Sequence, residues 1–229
     1  MKSSFYFTIG GVMAEQKSFK ERVKETVIQN AYSYKRYFVD YEYLLCSVAF
    51  MKNEYYIVSA HEDNYLHLTG LHTSLDATTF FEKCYKGTLE ESDFDFYKNG
   101  QSESEVKGSV RRKINSLPSI MDIFNVGTSV EEDFEKNRIR CALAAAKSSV
   151  TLGFVVAGRV KPMTLLKGNE LNSTKAKKLD LVLRRKTGEN RFTEILIGDG
   201  ERLAEHKDVL SDLLSEELLS LIPMDGKGE

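Results

Sequence analysis

Apolar residues recur at helical spacing behind Ser18. Phe19, Val23, Val27, Ala31, Tyr34 and Phe38 fall on one side of a 3.6-residue period. Ser18 and Glu21 form an S-x-x-E capping box, so residues 18 to 38 read as an amphipathic helix. The period then changes. EYLLCSVAF (42–50) and EYYIVSA (54–60) are aromatic and β-branched runs separated by MKN, which predicts an antiparallel hairpin. NYLHLTGL continues as a third strand. SLDATTFFEKCYKG returns to helix: Ser74 or Asp76 caps it, Phe80, Phe81 and Cys84 line one side, and Gly87 ends it. Residues 88 to 105 are acidic and without a period, which predicts a loop. SVRRKINSL (109–117) is a short helix that stops at Pro118. Residues 130 to 147 read as another helix ending in CALAAAK. VTLGFVVAG and the segment after it are strand. LDLVLRR and RFTEILI flank the turn signal KTGEN and form a second hairpin. A leucine-rich helix from about 201 to 221 closes the pattern.

These elements predict one α+β fold: an N-terminal helix, an antiparallel sheet with helices on one side, and a C-terminal helix. Composition adds limits. Hydrophobic content of 41% and charged content of 29% are ordinary for a globular chain of 229 residues. No apolar run approaches the ~20 residues that cross a bilayer. The stretch MKSSFYFTIGGVMAEQ is too short and too polar for a signal peptide. Cys46, Cys84 and Cys141 are widely spaced and odd in number, which points away from a disulfide framework and towards a reducing, cytoplasmic setting.

The net charge of −2 hides a segregation of sign. Residues 159 to 191 hold ten basic residues against three acids, while residues 199 to 229 hold nine acids against three bases. This segregation points to a polyanion-facing region beside an acidic end, with a solvated hairpin and a solvated helix as the alternative.

Three of the four histidines, His61, His67 and His72, stand within twelve positions. On a strand, Tyr65, His67 and Thr69 would share the face away from the core. An imidazole there can take a proton from a hydroxyl or give one to a leaving oxygen. The histidine spacing matches neither H-E-x-x-H nor a zinc finger, so no metal and no cofactor is expected. The segment KPMTLLK carries Lys161, Thr164 and Lys167 with Arg159 just before it, and these cations suit phosphate. Arg184 and Arg185 lie on the basic second hairpin. Lys107, Arg111, Arg112 and Lys113 form another cluster. No phosphate-cradling glycine motif of the P-loop or dinucleotide type is present.

The order of these segments resembles a known group. NYLHLTGL, TTFFEKCYKGTLE, VTLGFV, KPMTLLK and a basic closing hairpin are similar to a phage and prophage family. It is the fourth group of nuclease-like domains named after barnase, EndoU, colicin and RelE, the BECR fold. The resemblance runs roughly from 40 to 198. Its landmarks are the H-L-T-G of His67 to Gly70, the L-G-F of Leu152 to Phe154 and the P-x-T-L-L-K of Pro162 to Lys167. It implies helices preceding a curved four-stranded antiparallel sheet. It also implies a metal-independent ribonuclease in which the RNA 2′-hydroxyl is the nucleophile. Carried over by motif, the catalytic set would be His67, Thr69, Thr164 and Lys167. Arg159, Lys161, Arg184, Arg185, Arg111 and Arg112 would hold nucleic acid. The chain would then divide into an N-terminal extension (1–17), a BECR-like nuclease domain (18–198) and an acidic C-terminal helix and tail (199–229). RNA is the implied partner, with an inhibitor or host protein as a possible occupant of the acidic helix. The alternative is a non-enzymatic phage interaction protein that blocks a host defence or nucleic-acid-binding factor.

Overall fold

The computed structural model describes residues 17–223 of the chain. The expected N-terminal extension lies, but for Lys17, outside those residues. Helix α1 (Phe19–Tyr34) starts where the Ser18 hydroxyl accepts the Glu21 N–H at 3.0 Å. It ends in a π turn, Lys35–Val39, that sets Phe38 beside Tyr34 with ring centroids 5.4 Å apart. Strands β1 (Tyr41–Cys46) and β2 (Tyr55–Ser59) form the expected hairpin.

The segment NYLHLTGL departs from expectation. It is helix α2 (Asn64–Thr69), not a strand, and Gly70 closes it in the left-handed region at φ 71°. Tyr65, Leu68 and Thr69 are its buried residues along with Asn64, a spacing of three and four that suits a helix. Helix α3 (Ala77–Lys86) follows as expected, capped by Asp76 and ended by Gly87. Helix α4 (Glu103–Ser116) begins several residues before the expected start, because Ser102 and Glu105 build a reciprocal capping box.

Residues 130–147 are the larger correction. They form strands β3 (Ser129–Lys136) and β4 (Ile139–Lys147), not a helix. Asn137, at φ 55°, makes the turn between them. Strands β5 (Val150–Ala157) and β6 (Arg159–Lys167) continue the meander. A two-residue strand β7 (Lys177–Lys178), then β8 (Leu181–Lys186) and β9 (Glu194–Ile197), completes the sheet. The C-terminal segment is broken into α5 (Gly200–Glu205), α6 (Lys207–Leu210) and α7 (Glu216–Ser220) rather than one helix.

The fold is α+β, with a nine-stranded sheet curled into a half-barrel. Its order is β7-β3-β4-β5-β6-β2-β1-β8-β9. Every pairing is antiparallel except one. β2 runs parallel to β6, and a single pair, Val58 with Val160, joins them. Helices α1 to α4 cover one face, here the helix face, through the main core that includes Val27, Tyr34, Tyr65, Phe81, Val58, Leu152 and Leu165. The tip of the first hairpin reaches across to β3. There the Glu132 carboxylate accepts from Met51 N–H (2.8 Å), Lys52 N–H (3.1 Å) and the Tyr56 hydroxyl (2.7 Å).

The other face is covered at both ends. Over β1 and β8, α5 to α7 bury Leu203, Leu210, Leu214 and Leu218 on Leu44, Leu183 and Phe192. Over β3 to β5, the loop after β6 folds back. Leu171 packs against Phe134, Cys141 and Ala144, and Glu131 accepts the Asn172 N–H at 2.7 Å. Between the two covers lies the junction of β2 and β6, with Tyr55 and Ile57 of β2 half-buried at the edge of the C-terminal cover.

Candidate active site

The strip between the covers has a defined set of side chains, fixed by strand register. β1 and β2 pair Glu42 with Ser59, and β1 and β8 pair Glu42 with Arg185, so these three share a face. Val58 and Val160 belong to the core on the helix face, which turns their neighbours Ser59, Arg159 and Lys161 to the open face. Ala60 is again core, and His61 is exposed, so the alternation Tyr55, Ile57, Ser59, His61 runs along the open side of β2 and its continuation.

Glu42 is the anchor of this strip. It is 2% exposed and bridges two guanidinium groups. Arg185 donates to it through Nε and Nη2, both at 2.8 Å, and Arg159 pairs with its other oxygen. The two arginines differ in what else they do. Arg185 is buried, donates to the Asn190 carbonyl at 2.7 Å and lies 4.4 Å from the Phe192 ring centroid. Burial lowers its pKa, partly offset by Glu189. Arg159 is half exposed, so its charge is held in place by Glu42 yet open to solvent. A buried carboxylate with two cations leaves one positive charge in excess, which is the electrostatic condition for holding an anion.

The gap between β2 and β6 has a sequence cause. Pro162 carries no N–H, and a bulge opposite Gly153 and Phe154 interrupts the β5–β6 register at the same level. The β2–β6 ladder therefore stops at one rung. A 490 Å³ cleft opens there, lined by His61, Glu62, Asp63, Lys161, Val39 and Thr78. A 220 Å³ hollow lies at the other end of the seam and includes Tyr55, Ile57, Gly158 and Arg159.

The backbone of His61 is pinned from two sides. The Tyr34 hydroxyl donates to its carbonyl at 3.0 Å, and its N–H donates to Asn64 Oδ1 at 2.9 Å. Burial raises the Tyr34 phenol well above its ordinary pKa, so it stays a donor.

The residues chosen by motif are divided between the two faces of the sheet. His67 is exposed on α2, and its carbonyl accepts from Lys113 Nζ at 2.7 Å. Thr69 has no exposed surface. Its hydroxyl donates to the Leu66 carbonyl (2.8 Å) and accepts the Leu71 N–H (3.2 Å). On a helix a separation of two does not give a shared face, so the expected His67–Thr69 pair does not form. Thr164 lies on the open face, where its methyl carbon stands 2.8 Å from the position a Gly153 Cβ would take. Cys141 Sγ stands 2.6 Å from the same point, which explains the glycine of the L-G-F landmark. Lys167 pairs with core residue Val150 and so points, exposed, to the helix face. The nominated cations also divide. Arg159 and Lys161 line the seam. Arg185 is locked beneath it. Arg184 faces the Tyr41 ring at 4.3 Å and pairs with Glu194. Burial opposes its charge, but Glu194 outweighs that and its pKa is raised. Arg111 and Arg112 are exposed on α4, on the helix side.

Glu42, Ser59 and His61 carried no role in the sequence reading. The period-two count that was applied from Tyr65, applied instead from Tyr55, reaches His61. Among the described residues, no group of three or more His, Cys, Asp or Glu side chains stands close enough to hold a metal ion.

With this geometry in view, the chain falls into a known class. Residues 26–195 match the family described as phage-Barnase-EndoU-ColicinE5/D-RelE like nuclease4, and the chain belongs to that family. It is a nuclease-like protein of α+β fold. No curated protein and no solved structure matches it. Among the described residues no helix is long and apolar enough to cross a membrane.

Proposed function

We propose that this protein cleaves RNA at the β2–β6 seam by internal transesterification, with His61 as proton carrier and Lys161 and Arg159 as the phosphate clamp. The observation that carries the reading is the shared cleft of His61 and Lys161, beside an arginine held by buried Glu42. In this reaction the 2′-oxygen of the substrate attacks the adjacent phosphorus and loses its proton to a base. The P–O5′ bond breaks, and the leaving oxygen takes a proton from an acid. An imidazole serves either step near neutral pH. The two cations stabilise the charge that grows on the phosphorane, where electrostatic contributions are largest. Thr164 offers a hydroxyl on the same face for orienting phosphate oxygens, while Ser59 is buried beneath it. His67, the histidine of the family landmark, is assigned to the outer surface of α2 and not to the reaction in this reading.

The test is gel-resolved cleavage of a mixed RNA, with and without EDTA, by wild-type protein and by Lys161→Ala and His61→Ala. Cleavage that survives chelation and is lost in both variants supports the proposal. Activity that requires added divalent metal, or that persists in both variants, overturns it.

A further inference from the structure

Another cavity lies on the helix side. It measures 540 Å³ and sits where the N-terminal end of α1 meets that of α4, with residues 95–97 between them. Phe19, Phe96 and Tyr97 line it together with Lys20, Lys107 and Gln101. We propose that this cavity is a second single-stranded RNA subsite, taking an unstacked base on Tyr97 and its flanking phosphates on Lys20, Lys107 and Arg111.

Tyr97 is built as a platform. Its side chain is among the most exposed aromatics of the described residues, at 60%. Its backbone is nonetheless fixed, because its N–H donates to Asp95 Oδ1 at 2.9 Å. The same carboxylate oxygen holds His72 Nδ1 at 2.8 Å, and the His72 ring meets Tyr97 edge-on at 5.3 Å. A large ring that the described residues leave open to water, and that is held edge-on by His72, suits stacking by a nucleobase. The rings behind it carry cations on their faces. Arg111 stands 5.0 Å from the Phe19 centroid, Lys107 5.3 Å from Phe96, and Lys20 5.2 Å from Phe94. Two carboxylates also line the cavity, and both are engaged: Asp95 as described, and Glu103 with Lys107 at 2.7 Å. Lys20, at the rim, has no carboxylate within 4.0 Å among the described residues, and neither has Arg111, which lies across Phe19 in the adjoining hollow, so the unpaired charge here is positive. This also gives a role to the α4 cations that the seam leaves unused.

The proposal takes its ligand class from the RNA-cleaving reading, and the experiment separates the two. The probe is a fluorescein-labelled, 2′-O-methyl oligo-adenylate of twelve nucleotides, which cannot undergo transesterification, followed by anisotropy. Tyr97→Ala is expected to weaken its binding roughly 5- to 150-fold, the usual range for one base–aromatic stack. Lys20→Ala with Arg111→Ala is expected to flatten the salt dependence by about one to two in logarithmic slope. Cleavage of a dinucleotide, too short to reach the cavity, should be unchanged in all these variants. Unchanged 12-mer affinity in Tyr97→Ala overturns the subsite, and so does loss of dinucleotide cleavage in that variant. Binding of polyglutamate in place of the 12-mer overturns it as well. If Lys161→Ala leaves dinucleotide cleavage intact, the seam reading fails, while the 12-mer measurement on Tyr97→Ala still decides the subsite.

Discussion

Two places in this molecule bring a histidine and a lysine together, and they do opposite things. At the corner of α2 and α4, Lys113 donates to the His67 carbonyl, and Thr69 closes its bonds on its own helix. There the Lys113 amine and the Thr69 hydroxyl are taken up by backbone groups, while the His67 ring stays exposed. At the β2–β6 seam, His61 and Lys161 line an open cleft, and the bonds that fix His61 go to its backbone, leaving the ring free. Lysine and hydroxyl side chains serve the backbone in one setting, while in the other the lysine shares an open cleft with the imidazole. What separates them is whether the backbone beneath needs their donors and acceptors.

The contrast is sharpest in rate. His61→Ala should slow single-turnover RNA cleavage by ~10²–10⁴-fold, the usual span for a general acid or base. His67→Ala should change it by less than about threefold, and its melting temperature should hardly move, as for most exposed substitutions. The reverse outcome would return the chemistry to α2.

Next in size is Glu42→Ala, which leaves Arg185 buried without its carboxylate. Denaturant titration should show a loss of ~3–5 kcal/mol, as for other broken buried pairs. A loss below about 1 kcal/mol would mean that Arg185 finds another partner. Thr69→Val tests the corner. It strands the buried Leu71 N–H, and ~1–3 kcal/mol should be lost with cleavage per folded molecule intact. A drop in activity with no loss of stability would contradict the structural role.

A further test is in pH. Burial, with Lys98 nearby, lowers the Lys113 pKa from 10.5 to about 8. Between those values the unfolded chain binds more protons than the native one, so this group makes stability rise with pH. The penalty is full below about pH 8 and relieved as the amine loses its proton. Lys113→Met should remove that rise from a stability profile measured between pH 7 and 10.5. A profile identical to wild type would show that the amine titrates normally.

The hairpins and α3 were legible because alternation, capping residues and turn glycines agree there. Residues 130–147 were not. CALAAAK is rich in helix-favouring alanine, but Leu143, Ala145 and Val130 bury against the helices, and that packing outweighs propensity. NYLHLTGL is only six residues of helix, short enough for its apolar positions to fit both periods. The cations of KPMTLLK were readable as phosphate-binding residues. Their true neighbours were not, since Glu42 and Arg185 lie 143 positions apart and meet only through sheet order.

The single rung between β2 and β6 also has a mechanical meaning. It divides the sheet into two plates, one from β7 to β6 and one from β2 to β9, whose strands pair at one point, with a second tie where Glu132 of β3 holds the tip of the first hairpin. Shear between the plates is resisted on the helix side, where α2 and α4 lie against β6. On the other side the Arg159–Glu42 contact spans the joint. A phosphodiester gripped by Lys161 and Arg159 on one plate and reached by His61 on the other would act as a brace. Amide exchange at Val160 and His61 should then slow when an uncleavable oligonucleotide is bound, and the joint would be stiffest at the moment it is occupied.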